Sequence, residues 1–225
     1  GPVDLTPYFS EYEALVAQVD SVFEQAAAAH GGIPACGRDT DACCSRFFAL
    51  QFIEAVYLRH QFNRALSRED RLAAVQRALE AGRIVEKTGE SLPSPGETGG
   101  RSPGCRSVPA AEHAPIYRCP LNVEGKCILY AYRPLVCRVY GIIRPGEAGG
   151  SAGAHISFFH SPESFQMDQV NEELHGMSRR LFFALNGRFL EGKSLLFPIP
   201  RLISGKFAQD YFAVLSDMEK TERKE

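Results

Sequence analysis

Apolar side chains recur every three or four positions in five segments of the chain, the spacing typical of helices that bury one face. The segments start at Thr6, near Ser45, at Ser67, at Ser161 and at Phe207. The first is predicted to end near Ala29, the third near Thr88 and the fourth at Asn186. The order Ser67-Arg68-Glu69-Asp70 has the spacing of a capping box, which supports a helix start there.

Strand signals are few. Residues 154–159 form one short candidate, and Phe197-Pro198-Ile199-Pro200 is predicted to be extended because a proline disfavours helical backbone in the residue before it. Helices and strands do not alternate as a parallel sheet would require. The pattern therefore predicts a mainly α fold, in which residues 1–225 form a single helical domain.

Two segments are too rich in glycine and proline to form regular structure. Nine of the 21 residues from Gly89 to Pro109 are Gly or Pro, and a similar composition recurs from Pro145 to Gly153. We predict a flexible loop over about 89–115. Cys105 lies in this loop and is predicted to be an exposed bystander.

Composition excludes several classes of protein. The chain is 44% hydrophobic and 23% charged, with a net charge of −2, so no excess of basic residues favours nucleic-acid binding. No apolar run approaches the roughly 18 residues that a membrane-spanning helix needs. Fingerprints of dinucleotide, P-loop and serine-hydrolase sites are absent. The odd cysteine count and the lack of a signal segment predict a reduced, cytoplasmic protein.

Six of the seven cysteines fall into two groups in turn-rich sequence. They are Cys36, Cys43 and Cys44, then Cys119, Cys127 and Cys137. Irregular loops let several thiolates converge on a soft metal. Neither group contains the C-x2-C pair of common zinc modules, and two predicted helices separate the groups. A metal site built from two loops must therefore draw on both groups.

Local charge supports such a site. Between residues 118 and 144 there are five basic residues and one acidic residue, and nearby cations lower the proton affinity of thiolates. Arg133 and Arg138 are candidate contacts to a cluster or to a cofactor carboxylate, with surface salt bridges as the alternative. Tyr130 is a candidate cofactor contact, with a place in the core as its alternative.

The second cysteine group resembles a known family. The run Cys119-Pro120-Leu121-x3-Gly125-Lys126-Cys127-Ile128-Leu129-Tyr130-x2-Arg133-Pro134-x2-Cys137-Arg138 is similar to the second half of the signature of the YkgJ-like proteins, which are described as zinc- or iron-chelating domains. The first half in that family reads roughly C-x2/3-C-x2-C-C. Here Cys36-x3-Thr40-x2-Cys43-Cys44 follows it, with Thr40 where a cysteine would stand.

The resemblance implies a cysteine-bound metal centre. A related member, flagellin lysine N-methylase, is thought to use a [4Fe–4S] cluster and S-adenosylmethionine. We therefore expect a [4Fe–4S] cluster, with Zn²⁺ or Fe as alternatives, held first by Cys119, Cys127, Cys137 and one of the adjacent pair Cys43 and Cys44. The expected reaction is methyl transfer to an amine of a protein substrate. Two alternatives stay open: a zinc-stabilised structural or partner-binding module, and a metal carrier or redox sensor.

Overall fold

The computed structural model describes residues 2–29, 31–34, 36–37, 41–87, 117–140, 142–143, 156–157, 167–189 and 195–222. Most of these residues are helical. The predictions for the loop over 89–115, for Cys105, for residues 145–153 and for a helix start at Ser161 lie outside the described residues.

Seven helices within these ranges confirm the prediction of a mainly α fold. They are α1 (Thr6–Ala29), α2 (Phe52–Ala65), α3 (Arg68–Lys87), α4 (Leu135–Arg138), α5 (Met167–Asn186), α6 (Ile199–Ile203) and α7 (Phe207–Glu222). Single turns of 3-10 helix occur at Ala42–Ser45 and Tyr130–Tyr132. In the part of the chain that is described, no helix has the length and apolar character needed to cross a membrane.

The strands are short and pair antiparallel. They are β1 (Ile33–Pro34), β2 (Ala49–Gln51), β3 (Asn122–Val123), β4 (Lys126–Cys127), β5 (Ile142–Ile143), β6 (Ile156–Ser157) and β7 (Leu196–Pro198). One sheet has the order β1-β5-β6, while β2 pairs with β7 and β3 pairs with β4. Strand β4 contains Cys127, β1 precedes Cys36 and β5 follows Cys137, so these pairings help to position the cysteine loops.

Local capping accounts for two of the helix starts. Ser67 caps α3 as predicted, because its Oγ accepts a hydrogen bond from the Asp70 N–H at 3.0 Å. At α1 the Thr6 N–H donates to the Asp4 carboxylate at 2.9 Å, so Asp4 satisfies one of the free N–H groups at the helix start. Gly187, with φ of +70°, follows α5 in the left-handed conformation that suits a helix end.

The predicted start of the second helix near Ser45 is wrong. Residues 49–51 form β2 instead, with Leu50 opposite Phe197 of β7, and α2 begins only at Phe52. The prediction of extended backbone over 197–200 holds only for Phe197 and Pro198. Ile199 and Pro200 begin α6, where a proline in the first turn costs no helical hydrogen bond.

Helix α2 lies at the centre of the core. Its Phe52, Ile53 and Leu58 are fully buried, and Phe52 stacks on Tyr211 of α7 with ring centroids 5.5 Å apart. The same continuous cluster of buried side chains includes cysteines from both groups. The cysteine loops are therefore packed into the hydrophobic core and do not lie on its surface.

Candidate metal centre

One small cavity brings the two cysteine groups together. It is lined by Cys36, Cys43, Cys44, Cys119, Cys127 and Cys137. Its volume is about 20 Å³, which accommodates about one water-sized sphere. The remaining lining is mostly apolar and includes Phe48, Leu58 and Ile199. Two loops far apart in sequence thus contribute six cysteines to the lining of one cavity in the core.

Backbone hydrogen bonds hold the two loops against each other. The 3-10 turn after Asp41 places Cys43 and Cys44 side by side, with the Cys44 N–H bonded to the Asp41 carbonyl at 2.8 Å. The Cys119 N–H then donates to the Cys44 carbonyl at 2.7 Å. The Asp41 carboxylate also accepts from Arg118 and from the Asn122 amide. The first cysteine loop is therefore tied directly to the second.

A tight hairpin returns Cys127 to the neighbourhood of Cys119. Strands β3 and β4 pair Asn122 with Cys127, and the connecting residues Glu124 and Gly125 have φ of 50° and 81°. Positive φ at both central residues is the hallmark of a type I′ turn, which matches the twist of a two-residue hairpin. The sequence analysis missed this hairpin, although Glu-Gly between Val123 and Lys126 is a signal for it.

A buried carboxylate positions Cys137. Glu54 of α2 is only 5% exposed, and its Oε1 accepts hydrogen bonds from the Leu135 N–H at 2.9 Å and the Tyr12 hydroxyl at 3.2 Å. Leu135 is the first residue of α4, which contains Cys137. Burial raises the pKa of Glu54. Glu54 was not among the predicted site residues, although an acidic residue four positions before Leu58 on an otherwise apolar helix face is a signal for it.

The six cysteines are not equivalent. Cys36 and Cys43 are paired as a disulfide, with Cα atoms 5.6 Å apart, which differs from the expectation of reduced thiols. Cys44, Cys119, Cys127 and Cys137 are free. The Sγ atoms of Cys43 and Cys44 lie 4.0 Å apart, within reach of a weak hydrogen bond between sulfur atoms, and Cys44 stays outside the disulfide. Four free thiols remain around the cavity, the number that a tetrahedral metal site uses.

The free thiols differ in their affinity for protons. A hydrogen bond from the Cys119 thiol lowers the pKa of Cys44 to about 7, with a smaller contribution from the Asn122 side chain. The same hydrogen bond, together with burial, raises the pKa of Cys119 well above its usual value. Burial also raises the pKa of Cys137, and raises that of Cys127 to about 11. At neutral pH the free protein therefore has one substantially ionised thiol here.

Arg133 reaches the cavity. It is 9% exposed, and its Nη1 donates to the Cys36 carbonyl at 2.5 Å and lies 3.4 Å from the Cys36 Sγ. Its Nε donates to the Tyr130 carbonyl, and its guanidinium lies 3.9 Å from the centre of the Tyr130 ring. Arg133 is thus a buried cation beside the first cysteine group. The half-buried Tyr130 ring covers its guanidinium.

Arg138 lies farther from the thiols and joins the second loop to α1. Its guanidinium donates to the carbonyl oxygens of Arg133 and Ala131, each at 2.7 Å, and pairs with Asp20 of α1. All three contacts use groups of the chain itself. The structure therefore places Arg138 as an anchor of the loop that contains Tyr130 and Arg133.

The residue types around the cavity suit a metal ion, but their present arrangement does not. Across the described ranges, no three His, Cys, Asp or Glu side chains converge in an arrangement that could hold a metal ion, so the thiols would have to rotate toward a common centre. The Tyr117 hydroxyl is buried with no hydrogen-bond partner in the described structure, and Cys119, Cys137 and Cys44 help to raise its pKa. An orphaned donor beside several sulfur atoms fits a centre that offers it an acceptor.

Comparison with known proteins identifies no relative of this chain. No family model matches it, and no curated protein or solved structure is significantly similar. The resemblance to the YkgJ-like proteins therefore stays a prediction made from the cysteine motifs.

Proposed function

We propose that this chain is a metal-binding protein in which Cys44, Cys119, Cys127 and Cys137 hold one soft metal centre. The observation that supports the proposal is the cavity that all four free cysteines line, drawn from loops about 75 residues apart. Soft thiolate ligands favour zinc, iron–sulfur clusters and copper(I) over hard cations. The buried cation of Arg133 stabilises the negative charge that four thiolates would bring into the core.

The size of the cavity favours a single ion such as Zn²⁺ or Fe. A volume of about 20 Å³ has room for one ion among the sulfur atoms, and four thiolates complete a tetrahedral site. A [4Fe–4S] cluster also takes four thiolates and is the second candidate. It is favoured by the two further cysteines at the cavity, since reduction of the Cys36–Cys43 disulfide by small thiols, which supply two electrons and two protons, gives the lining more freedom to move apart.

The main role proposed for the metal is to stabilise the fold. The cysteines belong to the same buried cluster as α2 and α5, so the unfolded chain offers no preformed site and the binding free energy adds to the folding free energy. Methyl transfer remains a prediction of the family resemblance. Both guanidinium groups expected to bind a cofactor carboxylate, those of Arg133 and Arg138, are already hydrogen-bonded within the chain.

Metal analysis of anaerobically purified protein, together with its absorption spectrum, tests the proposal. We expect stoichiometric metal: a colourless zinc protein for the single ion, or a brown protein with iron and sulfide for the cluster. Serine variants of Cys44, Cys119 and Cys137 should each weaken metal binding by about 10-fold or more in competition with a chelator.

Matched controls come from the other cysteines of the chain. Cys105→Ser and the double variant Cys36→Ser/Cys43→Ser should retain the metal, because these residues are not among the four proposed ligands. Protein that contains no metal and takes up neither zinc nor iron with sulfide would overturn the proposal. Equal losses in the control variants would overturn the assignment of ligands.

A further inference from the structure

A second, open cleft adjoins the cysteine cavity. It has a volume of about 410 Å³ and is lined by residues 126–132. Cys127 and Leu129 line both the cleft and the enclosed cavity. Among the free cysteines that the structure describes, Cys127 alone is partly exposed, whereas Cys44, Cys119 and Cys137 are buried. The thiol of Cys127 therefore stands at the boundary between the sulfur-lined interior and a space open to solvent.

The lining of the cleft indicates what it would accept. Its volume falls within the range of small-molecule sites, roughly 300–1,000 Å³. Ile128, Tyr130 and Tyr132 supply apolar surface, and Lys126 adds an exposed ammonium group. A ligand that suits both ends of this cleft has a soft atom for the sulfur side and an anionic group for Lys126. Small thiols that also bear a carboxylate have both.

We propose that the cleft binds small carboxylate-bearing thiols and that Cys127 is the ligand they replace at the metal centre. The inference rests on the proposed function. In the exchange, the incoming thiol gives up its proton and its sulfur takes the coordination position that the Cys127 Sγ leaves. The released Cys127 thiolate takes up a proton, so that proton and charge balance and no oxidant is needed. Cys44, Cys119 and Cys137 stay in place.

Accessibility and ionisation make opposite predictions about which thiol reacts first. The lower pKa of Cys44 would make it the most reactive thiol if ionisation alone decided the rate. Cys44 is buried, however, and Cys127 faces the cleft. The order of reaction in the metal-free protein therefore tests the geometry separately from any metal chemistry.

The first experiment alkylates reduced, metal-free protein in a Cys105→Ser background. Iodoacetate serves as the anionic probe and iodoacetamide as the neutral one, and mass spectrometry of peptides follows each cysteine. We expect Cys127 to react first. Its ratio of iodoacetate to iodoacetamide rates should exceed that of the same cysteine in denatured protein by about threefold, and Lys126→Glu should remove this excess. Earlier reaction of Cys44 or Cys119, or an unchanged ratio, would overturn the inference.

The second experiment uses zinc-loaded protein and a chromogenic zinc chelator. Mercaptoacetate should accelerate transfer of zinc to the chelator more than cysteamine does, and Lys126→Glu should reverse this order. Cys127→Ser should lose most of the acceleration by thiols. Equal effects of the two thiols would contradict the cleft as their site. Failure of the chain to take up zinc would instead count against the proposed function, while the alkylation order would still decide the role of the cleft.

Discussion

Two tyrosines show that the effect of a buried hydroxyl on stability depends on whether it has a hydrogen-bond partner. Tyr12 and Tyr117 are each 1% exposed. The Tyr12 hydroxyl donates to Glu54, whereas the Tyr117 hydroxyl finds no partner in the described part of the chain and lies close to the cysteines. A buried polar group without a partner lowers stability, and one with a partner contributes to it.

Replacing each tyrosine by phenylalanine should therefore have opposite effects on the metal-free protein. Tyr117→Phe should raise the free energy of unfolding by about 1 kcal/mol, because it removes a desolvated hydroxyl that makes no bond. Tyr12→Phe should lower it by about 1–2 kcal/mol, since it leaves a buried carboxylate with one donor fewer. Urea denaturation of the two variants measures both changes in the free energy of unfolding. A loss of stability in Tyr117→Phe would show that its hydroxyl has a partner in the folded protein.

At the scale of elements, the four-residue helix α4 depends on its neighbours. A helix of one turn is not stable alone, and the start of α4 is held by the Glu54 carboxylate from α2. The Cys137 N–H bonds to the Pro134 carbonyl at 3.0 Å within the same turn. Glu54 is therefore a positioning residue for the fourth thiol, acting through the backbone of α4.

Substitutions of Glu54 should separate its shape from its charge. Glu54→Gln keeps an oxygen acceptor for the Leu135 N–H, whereas Glu54→Ala leaves that N–H and the Tyr12 hydroxyl unpaired in the core. We expect Glu54→Ala to lose about 3 kcal/mol of unfolding free energy or more and to weaken metal binding. Glu54→Gln should retain metal binding. Equal behaviour of the two variants in denaturation and chelator competition would contradict the positioning role.

The burial of Glu54 also predicts how the stability of the protein depends on pH. The pKa of Glu54 is raised in the folded protein, so the folded state holds this proton at pH values where the unfolded chain, with a pKa of about 4.3, has lost it. Stability from this group is complete below about pH 4 and is lost as pH rises through the folded pKa. Relative to Glu54→Gln, the wild-type protein should therefore become less stable in urea titrations as the pH rises above about 4 toward the folded pKa of Glu54. A difference in unfolding free energy between the two proteins that stayed constant with pH would contradict this prediction.

At the scale of the whole molecule, the two cysteine loops are tied to each other and to the helices around them. Cys44 and Cys119 join through their backbones, Arg138 ties the second loop to α1, and Glu54 ties α4 to α2. The helices they join, α1 and α2, contribute to the main hydrophobic core that also contains the cysteines. Binding of a metal in the cavity should therefore depend on folding of the entire molecule.

Zinc binding should release protons and raise stability together. At pH 8 the Cys44 thiol, with its pKa of about 7, is mostly ionised, whereas Cys119, Cys127 and Cys137 are protonated. Because thiols bind metal as thiolates, loading should release about three protons per chain, measurable by calorimetry in buffers of different ionisation enthalpy. Chelation should lower the thermal midpoint. Release of fewer than two protons would contradict ligation by all four thiols.

Much of the helical architecture could be predicted from local pattern. Helix α1 ends at Ala29, α3 follows the Ser67 cap and α7 begins at Phe207, as expected. The start of α2 could not be predicted, because Ala49, Leu50 and Gln51 carry no local signal that separates a strand from a helix. Their pairing with β7 decided the outcome, and that partner lies almost 150 residues away.

The sequence by itself determined the helical class and the grouping of six cysteines in two loops near basic residues. Helix periodicity, caps and local charge act over a few residues, so they can be recognised without a fold. Only the tertiary structure decided that Cys36 pairs with Cys43, that Glu54 holds the start of α4 and that Cys127 faces the open cleft. Cys36 and Cys43 are only seven residues apart, but the Glu54 contact joins segments 81 residues apart, and the burial of the whole core selects such a contact from many local alternatives.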